Sequence, residues 1–355
     1  MKVLQLIDSL NIGGAERMSV NICNAFIDAN IDNVLVCTRK KGPLYKALNP
    51  MACFYELKKT SSIDILAFFK LFTIVSKEKP THLHAHSSSI YWGVLIKVLR
   101  PSLVLIWHDH FGNAENLKPD DRRLIRKISR CFNCVIAVNN LLKEWSNQNL
   151  KCSNVNYIRN FPYLNIKKNK NNDKVIILHL ANLRKQKDHF NLFEAIKYYT
   201  NEQHKKLEFW LVGNDLKDEY SRKLHEFVRM HSLTDFVKFV GSVDDPSEIL
   251  GLANIGILSS ESEGLPVSLL EYGLAGLPVV VTDVGQCAEV LENGKFGLLV
   301  PPKNPELMAE AITKILDNIE RYREIGSLFW QHVEKNYGKK NFIQQYLKAI
   351  DTKII

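Results

Sequence analysis

Short runs of β-branched and aliphatic residues alternate along this chain with longer segments in which apolar positions recur every three or four residues. In the first half, the short runs predict six strands, at residues 3–7, 34–37, 81–85, 103–107, 134–138 and 155–158. The longer segments predict helices at residues 15–29, 62–77, 88–99, 120–131 and 140–149. This alternation predicts an α/β domain with a parallel, doubly wound sheet.

A polar stretch, NIKKNKNNDK at residues 165–174, interrupts the alternation once. After it, the pattern predicts strands at 175–180, 207–212, 237–240, 255–258 and 279–282, and helices at 189–199, 217–231, 266–275 and 305–317. We therefore expect two similar domains, residues 1–165 and 174–330, joined by a linker at 165–174. The aromatic-rich tail predicts a C-terminal helix, at about 335–355, that packs back on the first domain.

The composition fits two globular domains. A chain of 355 residues with 46% hydrophobic side chains is neither disordered nor collagen-like. Its seven cysteines have no regular disulfide spacing, which favours a reducing compartment. The first segment, MKVLQLIDSL, contains Asp8 and no cleavage site, so it predicts a strand and not a signal peptide. No apolar stretch reaches the roughly 20 residues that span a bilayer, and we expect a cytoplasmic protein.

Positive charge is concentrated in the first half. Residues 1–165 hold 22 basic and 12 acidic side chains, a net +10, whereas residues 166–355 hold 25 and 26. One predicted helix carries five of the basic residues: Arg122, Arg123, Arg126, Lys127 and Arg130. A second basic and apolar region combines Lys58, Lys59 and Lys70 with the segment 65–75. The pattern predicts peripheral docking on an anionic membrane. A solvated basic helix is the alternative, and nucleic acid is not an expected partner, since nothing resembles a base-reading module.

A pair of glycines follows the first predicted strand. Gly13 and Gly14 open a predicted helix, where paired glycines let the backbone approach an anion. The spacing is not that of a dinucleotide-binding G-x-G-x-x-G motif. A phosphate loop and a plain strand–helix turn both remain open.

The motif ESEGLPVSLLE follows the strand predicted at 255–258. Pro266 suits the first position of a helix, so the N–H groups of Gly264 and Leu265 would lie at its positive end, ready for a phosphate. Glu263 stands just before this end and Glu271 more than one turn along. The two carboxylates would therefore reach different parts of one ligand. An acidic helix start with one surface glutamate is the alternative.

A basic turn, ANLRKQKD, follows the strand predicted at 175–180. Its cations, Arg184 and Lys187 among them, would lie at the carboxyl end of that strand and suit a diphosphate. A solvated basic turn is the alternative.

Histidines form a further cluster in the first half. His82, His84 and His86 alternate along one predicted strand, and HDH follows the next at 108–110. Imidazole and carboxylate are zinc ligands, so a metal cluster is possible. Two of the strand histidines would have to leave a buried sheet face to reach an open site, however, and we expect no metal.

Together these motifs resemble those of the retaining glycosyltransferases of family four. The resemblance rests on GGAE at 13–16, His108 after a strand, Lys187 before a helix, FVG at 239–241, and Glu263 and Glu271 with seven residues between them, followed by YGLAGLPVVVTD. It extends from residue 13 to about 302. It implies the GT-B fold, in which two Rossmann-like domains face each other across a cleft, with the acceptor side first and the nucleotide-sugar side second.

The resemblance also implies roles for individual residues. Glu263 would contact hydroxyls of the donor sugar, Glu271 would hold the ribose, and Lys187 would neutralise the diphosphate. His108 would approach the sugar from the first domain, and Gly14 would lie near the phosphates or the sugar. The expected catalytic residues are thus His108, Lys187 and Glu263, and the expected donor-binding residues are Gly13, Gly14, Arg184, Lys187, Gly264, Leu265, Pro266 and Glu271.

Two positions depart from the family pattern. Many members carry an arginine five residues before the lysine, where this chain has Asn182, so we assign the phosphate role to Arg184 instead. Where many members have a second glycine after Gly285, this chain has Gln286. This change falls beside the expected sugar pocket.

We therefore expect a retaining glycosyltransferase that moves a sugar from a nucleoside diphosphate sugar to a saccharide or lipid-linked acceptor of bacterial cell-surface polysaccharide synthesis, peripheral to the inner face of the cytoplasmic membrane. No Asp-x-Asp follows a predicted strand, so fixed cations would replace a metal cofactor at the diphosphate. A nucleotide-sugar epimerase of the same fold and a non-catalytic sugar-nucleotide binding module are the alternatives.

Overall fold

The computed structural model describes residues 1–11, 13–111, 117, 121–167, 174–199, 206–243 and 245–351. Contacts divide the chain into two compact units. The first comprises Met1–Tyr163 and Tyr337–Ile355, and the second comprises Leu164–Asn336. Of the linker predicted at 165–174, residues 168–173 lie outside the described residues.

The first unit is built on a seven-stranded parallel sheet. Its strands are β1 (Lys2–Ile7), β2 (Asp32–Cys37), β3 (Cys53–Glu56), β4 (His82–His86), β5 (Val104–Asp109), β6 (Cys134–Ala137) and β7 (Val155–Tyr157). They lie in the order β3-β2-β1-β4-β5-β6-β7. The order reverses between β1 and β4, where doubly wound sheets place their ligand crevices.

Helices cover both faces of this sheet, which is why its central strands β1, β4 and β5 are almost continuously buried. The helices in this part of the chain are α1 (Gly14–Asp28), α2 (Ile65–Glu78), α3 (Ile90–Leu99), α4 (Arg123–Ile128) and α5 (Asn140–Asn149). Local signals set two of the starts. The side chains of Asp64 and Asn139 accept hydrogen bonds from N–H groups of the first turns of α2 and α5.

The second unit repeats the plan with six parallel strands. They are β8 (Val175–Leu180), β9 (Leu207–Val212), β10 (Val237–Gly241), β11 (Ile255–Leu258), β12 (Val279–Thr282) and β13 (Leu298–Val300), in the order β10-β9-β8-β11-β12-β13. The helices are α6 (His189–Ile196), α7 (Glu219–Met230), α8 (Ser247–Leu252), α9 (Val267–Leu274), α10 (Cys287–Val290), α11 (Pro305–Asp317) and α12 (Ile319–Tyr337). Both sheets confirm the predicted α/β class with alternating strands and helices.

The last helix, α13 (Lys339–Ile350), belongs to the first unit. It buries Phe342 and Tyr346 over the sheet face that α1 also covers. The ring of Tyr346 lies 5.1 Å from that of Phe26 on α1, and Asn154 donates a hydrogen bond of 2.8 Å to the carbonyl of Ala349. Residues 352–355 of the predicted tail helix lie outside the described residues.

Three features differ from the sequence-based predictions. Strands β3 and β13, two sheet edges whose residues are mostly half-buried, were not predicted, although the other two edge strands, β7 and β10, were. Helices α8, α10 and most of α12 were also missed. The helix expected at 120–131 is shorter, because Arg122 has a left-handed backbone (φ +59°) and α4 begins after it. Residue 120 lies outside the described residues.

Candidate active site

The predicted donor residues of the second unit lie at the carboxyl edge of its sheet. Strands β8 and β11 are hydrogen-bonded neighbours, so the loops that follow them begin side by side. The first loop carries Arg184 and Lys187, and the second carries Glu263. The backbone N–H of Glu261 donates to the carbonyl of Gln186 at 2.9 Å, which joins the two loops directly.

Lys187 and Glu263 form a close ion pair. Lys187 Nζ lies 2.6 Å from Glu263 Oε1, and the Ser260 hydroxyl donates to the same oxygen at 2.6 Å. The Glu263 side chain is only 8% exposed and that of Lys187 is 21% exposed. A buried carboxylate is costly without partners, and the lysine and the serine supply them here.

The basic turn after β8 is a single 3₁₀ turn, Lys185–Lys187. Arg184 precedes it and is exposed, and its carbonyl accepts the N–H of Lys187 at 2.9 Å. Asp188 follows with a left-handed backbone (φ +42°), and its side chain caps α6 by accepting from Asn191 N–H. The turn therefore presents Arg184 and Lys187 from one short, hydrogen-bonded segment.

Helix α9 begins one residue later than predicted. Pro266 is its N-cap, with an extended backbone (ψ 97°), and not its first helical residue. The Pro266 carbonyl accepts the N–H groups of Leu269 and Leu270, so the N–H groups that precede them are left for other partners. Gly264 is exposed, and a Cβ there would meet nothing within 4 Å. The space beside this helix start is therefore open.

A second glycine closes this loop from the other side. Gly285 has a left-handed backbone (φ +56°), and a Cβ on it would collide with the carbonyl group of Glu263. The next residue, Gln286, donates its N–H to the Gly264 carbonyl at 3.2 Å, and its side chain donates to Glu289 at 2.9 Å. Only glycine at 285 permits this approach.

Glu271 lies one turn along α9, and its neighbour Tyr272 anchors that turn. The Tyr272 hydroxyl accepts the N–H of Leu180 at 2.6 Å and lies 3.0 Å from the carbonyls of Leu178 and Ile257. One buried side chain thus attaches α9 to both β8 and β11. Burial also raises the pKa of Tyr272 well above its usual range, so it stays neutral.

In the first unit, the predicted glycines lie at the start of α1. Gly13 is its N-cap with an extended backbone, and Gly14 is its first residue. A Cβ on Gly14 would meet nothing within 4 Å, whereas a Cβ on Gly13 would collide with the Glu16 carboxylate. The start of helix α1 is therefore open at Gly14, whereas the Glu16 carboxylate covers Gly13. Residue 12 lies outside the described residues.

His108, the last but one residue of β5, lies in a buried layer of histidines. Its Nδ1 lies 3.1 Å from Nε2 of His84, and Nδ1 of His86 lies 3.1 Å from Nε2 of His110. Burial lowers the pKa of all four imidazoles, to about 3 for His84 and His110, so they are uncharged at neutral pH. His108 is fully buried, and its Nε2 makes no hydrogen bond to the described residues.

The histidine layer also bears on the alternative of a metal site. His84, His86 and His108 offer ring nitrogens that all lie within 4.8 Å of one another, and they do so on the buried sheet face. The histidines therefore meet on the buried face itself and not at an open site. His84 Nε2 and His108 Nδ1 lie within hydrogen-bond distance of each other, and the other ring nitrogen of each residue has no hydrogen-bond partner among the described residues.

One ion pair in the first unit was missed from the sequence. Arg122 contacts both carboxylate oxygens of Asp109, at 2.5 and 3.1 Å. Its guanidinium lies 4.3–5.6 Å from the ring centres of Trp107, Phe111 and Trp145. Burial raises the pKa of Asp109 and the Arg122 contacts oppose the rise. The signal was a carboxylate at the end of an apolar strand, which needs a cation when buried. Arg122 is thus not part of an exposed basic helix face.

Family models match both halves of the chain. The family described as Glycosyltransferase Family 4 matches residues 12–161, and the one described as Glycosyl transferases group 1 matches residues 163–327. Within the described residues, no helix is both long enough and apolar enough to cross a membrane.

The curated relatives include bacterial enzymes. N-acetyl-alpha-D-glucosaminyl L-malate synthase of Bacillus anthracis is 28% identical over 171 residues, which are 48% of this chain and 44% of that protein. The capsular polysaccharide biosynthesis glycosyltransferase CapH of Staphylococcus aureus is 21% identical over 89% of this chain and 91% of its own. A Campylobacter jejuni N,N'-diacetylbacillosaminyl-diphospho-undecaprenol alpha-1,3-N-acetylgalactosaminyltransferase is 31% identical over 32% of this chain and 30% of its own.

Solved structures share the whole fold. Anabaena HepE in complex with UDP has a TM-score of 0.76 at 19% identity and covers 99% of this chain and 100% of its own. A Rickettsia africae glycosyltransferase has a TM-score of 0.74 at 16% identity and covers 99% of both chains. The fold is therefore GT-B, with two Rossmann-like domains. The chain belongs to the family 4 glycosyltransferases, whose relatives here include enzymes of bacterial polysaccharide biosynthesis.

Proposed function

We propose that this glycosyltransferase takes its sugar from a nucleoside diphosphate donor and retains the configuration of the anomeric carbon. The observation that carries the proposal is the contact of Lys187 with Glu263 at the carboxyl edge of β8 and β11. It brings a cation suited to a diphosphate against a carboxylate suited to sugar hydroxyls. The open start of α9 at Gly264 lies beside them and suits a phosphate.

Bond cleavage would be driven by fixed positive charge. The bond between the anomeric carbon and the diphosphate oxygen breaks, and negative charge develops on the departing diphosphate. Lys187, Arg184 and the N-terminus of α9 would stabilise that charge in place, with no divalent ion required. When Lys187 turns to the diphosphate, the Glu263 carboxylate is released to accept hydrogen bonds from the sugar.

The acceptor hydroxyl would attack from the face that the diphosphate leaves. Its oxygen forms the new bond to the anomeric carbon, and its proton passes to the departing phosphate oxygen, so that configuration is retained without a covalent enzyme intermediate. The contact of His108 with the sugar, which the resemblance implies, stays a prediction, because the His108 side chain, Nε2 included, is fully buried in this structure. Glu271 would bind the ribose, and Gly13 and Gly14 would border the phosphates or the sugar.

A saccharide on a lipid diphosphate is the acceptor class that we favour. The Campylobacter relative is named for an undecaprenol-linked substrate, and CapH is named for capsule synthesis. A lipid-linked acceptor requires work at a membrane, and we place the protein on the inner face of the cytoplasmic membrane. The base and sugar of the donor and the identity of the acceptor are then matters for direct screening.

The first unit offers a surface suited to anionic lipid. Helix α2 exposes Ile65, Leu66 and Phe69, at 65%, 77% and 62% of their surface. A cavity of about 490 Å³ at the start of this helix is lined by apolar side chains, by Lys58 and Lys70, and by Thr60, Ser61 and Asp64. Apolar groups enter the interface while the lysines meet anionic head groups, which is the pattern of a peripheral anchor.

The experiment that tests the function has two stages. Thermal-shift screening of UDP-, GDP- and ADP-sugars identifies the donor, since ligand at 100 times its Kd stabilises a protein by about 2.7 kcal/mol. The matching donor is then incubated with and without undecaprenyl-diphosphate saccharides. Nucleoside diphosphate released only with acceptor supports transfer. An altered sugar without acceptor indicates an epimerase, and binding without turnover indicates a binding module.

A further inference from the structure

A buried histidine of the second unit is connected to the backbone of Lys187 through one serine. His179 lies on β8 and Ser259 directly follows β11, and both are almost completely buried. His179 Nε2 is 3.0 Å from Ser259 Oγ, and Ser259 Oγ is 2.8 Å from the carbonyl oxygen of Lys187. The two strands pair in register at His179 and Ile257, so this chain of contacts starts from the rigid centre of the sheet.

The direction of each hydrogen bond follows from chemistry. The carbonyl of Lys187 has no hydrogen to give, so the single hydroxyl hydrogen of Ser259 must be donated to it. The serine oxygen then has only lone pairs left for His179, and Nε2 of His179 must carry the hydrogen that it donates. His179 is therefore the Nε2–H tautomer, and its Nδ1 is the acceptor without a hydrogen-bond partner among the described residues.

The imidazole stays neutral in this position. Burial lowers the pKa of His179 well below its usual value, and the positive charge of Lys187 acts in the same direction. The His189 ring lies 4.8 Å away, edge to face, and closes the pocket on that side. A neutral ring with one fixed hydrogen gives a hydrogen bond of constant direction.

The serine bond fixes the end of the turn that presents the Lys187 amine. The opposite end is closed by the bond from Lys187 N–H to the Arg184 carbonyl. The neighbouring carbonyl, that of Gln186, accepts the N–H of Glu261 from the same loop as Ser259. Without the serine, the Lys187 carbonyl loses its anchor to β11, and the side chain that it carries can move relative to Glu263.

We propose that His179 and Ser259 are positioning residues. They hold the backbone of Lys187 in place so that its amine meets the donor diphosphate. This proposal rests on the proposed function, because it takes the donor diphosphate as the anion that Lys187 binds. Neither residue would touch the substrate. Both act through the backbone of Lys187, so their loss should weaken recognition of the diphosphate and leave recognition of the nucleoside unchanged.

The first test reads the tautomer of His179 in the wild-type protein. Two-bond ¹H–¹⁵N correlation spectra of the ¹⁵N-labelled full chain should show a neutral Nε2–H ring between pH 6 and 8, assigned by its loss in His179→Gln. A neutral Nδ1–H ring or a protonated ring would overturn the proposed hydrogen-bond chain. This measurement needs no donor and does not depend on the proposed function.

The second test compares affinities by calorimetry. The probes are the nucleoside diphosphate among UDP, GDP and ADP that binds the wild type, and the corresponding nucleoside. Ser259→Ala should lower the diphosphate-to-nucleoside affinity ratio about fivefold or more. The matched control is Ser262→Ala, which removes an exposed hydroxyl from the same loop and should leave the ratio unchanged.

Two further variants separate positioning from general damage. His179→Gln keeps an N–H donor and should retain most of the ratio, whereas His179→Phe should match Ser259→Ala. Because the contacts act in series, the double variant His179→Phe with Ser259→Ala should be no worse than the poorer single variant. Wild-type ratios in folded Ser259→Ala and His179→Phe would overturn the positioning role alone. A wild type that binds none of the three diphosphates would contradict the proposed function, and with it the role assigned here.

Discussion

The amine of Lys187 and the carboxylate of Glu263 lie 2.6 Å apart, although the two residues are 76 positions apart in the chain. The contact exists because β8 and β11 are neighbours, so the loops after them start from adjacent points on the sheet edge. In the absence of substrate, the Lys187 amine and the Glu263 carboxylate bind each other. A bound diphosphate competes with Glu263 for the lysine.

Replacing Lys187 should therefore slow chemistry more than it weakens binding. We expect Lys187→Ala to lower kcat by roughly 10²–10³, the scale for loss of one fixed group that stabilises charge in a transition state. Lys185→Ala, which removes an exposed cation from the same 3₁₀ turn, is the matched control and should keep most of the activity. Wild-type turnover in Lys187→Ala would remove this residue from the mechanism.

Glu271→Ala should act mainly on nucleotide affinity. The carboxylate is expected to accept hydrogen bonds from the ribose, and bonds to a charged group contribute about 1.5–3 kcal/mol each. We predict a donor KM at least tenfold higher with kcat nearly unchanged, measured in steady-state kinetics. Glu248→Ala, an exposed helix glutamate, is the control and should leave both constants unchanged. A fall in kcat at constant KM would place Glu271 at the reacting centre instead.

Gly285→Ala should destabilise the second unit by more than the backbone strain of an alanine at positive φ, because its Cβ would also collide with another loop. Gly285 and Gly294 both have positive φ, but a Cβ at 285 meets the Glu263 carbonyl group whereas a Cβ at 294 meets nothing closer than 3.7 Å. Gly294→Ala should thus cost only about 1 kcal/mol in free energy of unfolding, and Gly285→Ala clearly more. Urea unfolding of the two variants measures the difference, and equal losses would contradict the close approach at 285.

Acid should destabilise the first unit through its histidine layer. The folded pKa of His84 and that of His110 are lowered from 6.5 to about 3, so between these values the unfolded chain binds protons that the folded chain does not. The contribution of these neutral histidines to the free energy of unfolding is fully present above pH 6.5. It falls as the pH falls, by about 1–2 kcal/mol for each such histidine by pH 5. Urea unfolding at pH 7.5 and pH 5 should show this loss, and His84→Gln should reduce it. Exposed His231→Gln is the control, and an equal loss in wild type and His84→Gln would count against the layer as its source.

Membrane docking should depend on exposed basic and apolar residues and not on Arg122. We predict that wild type co-sediments with phosphatidylglycerol vesicles, binds neutral vesicles little, and is released as salt rises. A variant with Arg123, Lys127 and Arg130 changed to Ser, and a second with Leu66 and Phe69 changed to Ser, should each bind vesicles less while donor affinity is unchanged. Equal vesicle binding by wild type and both variants would refute the docking surface and leave the transferase assignment intact.

The fold was predictable where strands are buried on both faces. The strands predicted at 175–180, 207–212, 255–258 and 279–282 match β8, β9, β11 and β12, because parallel strands covered on both sides are rich in apolar residues. Edge strands β3 and β13 are only partly covered and were missed, although the other two edge strands, β7 and β10, were predicted. Glu263 and Lys187 were identifiable as residues, but their mutual contact was not, because strand order is a tertiary property.

The sequence also left the fate of single polar groups undetermined. Five cations near 122–130 suggested one charged helix face. The backbone at Arg122 is left-handed, however, and its guanidinium forms an ion pair with Asp109. The histidines at 82–86 and 108–110 were identified from the sequence, but the contacts of His84 with His108 and of His86 with His110 were not. Such outcomes depend on which partner a buried group finds, which local patterns do not encode.

The central claim is that fixed protein charges, and no divalent ion, drive transfer with retention from a nucleoside diphosphate sugar. The most direct measurement is an NMR time course of donor and acceptor with wild-type protein in excess EDTA, recording the anomeric proton couplings of donor and product. The account predicts acceptor-dependent release of nucleoside diphosphate and a product with the donor's anomeric configuration. Inverted product would contradict retention, and turnover that stops in EDTA and returns with added metal would contradict the role assigned to Lys187, Arg184 and the start of α9.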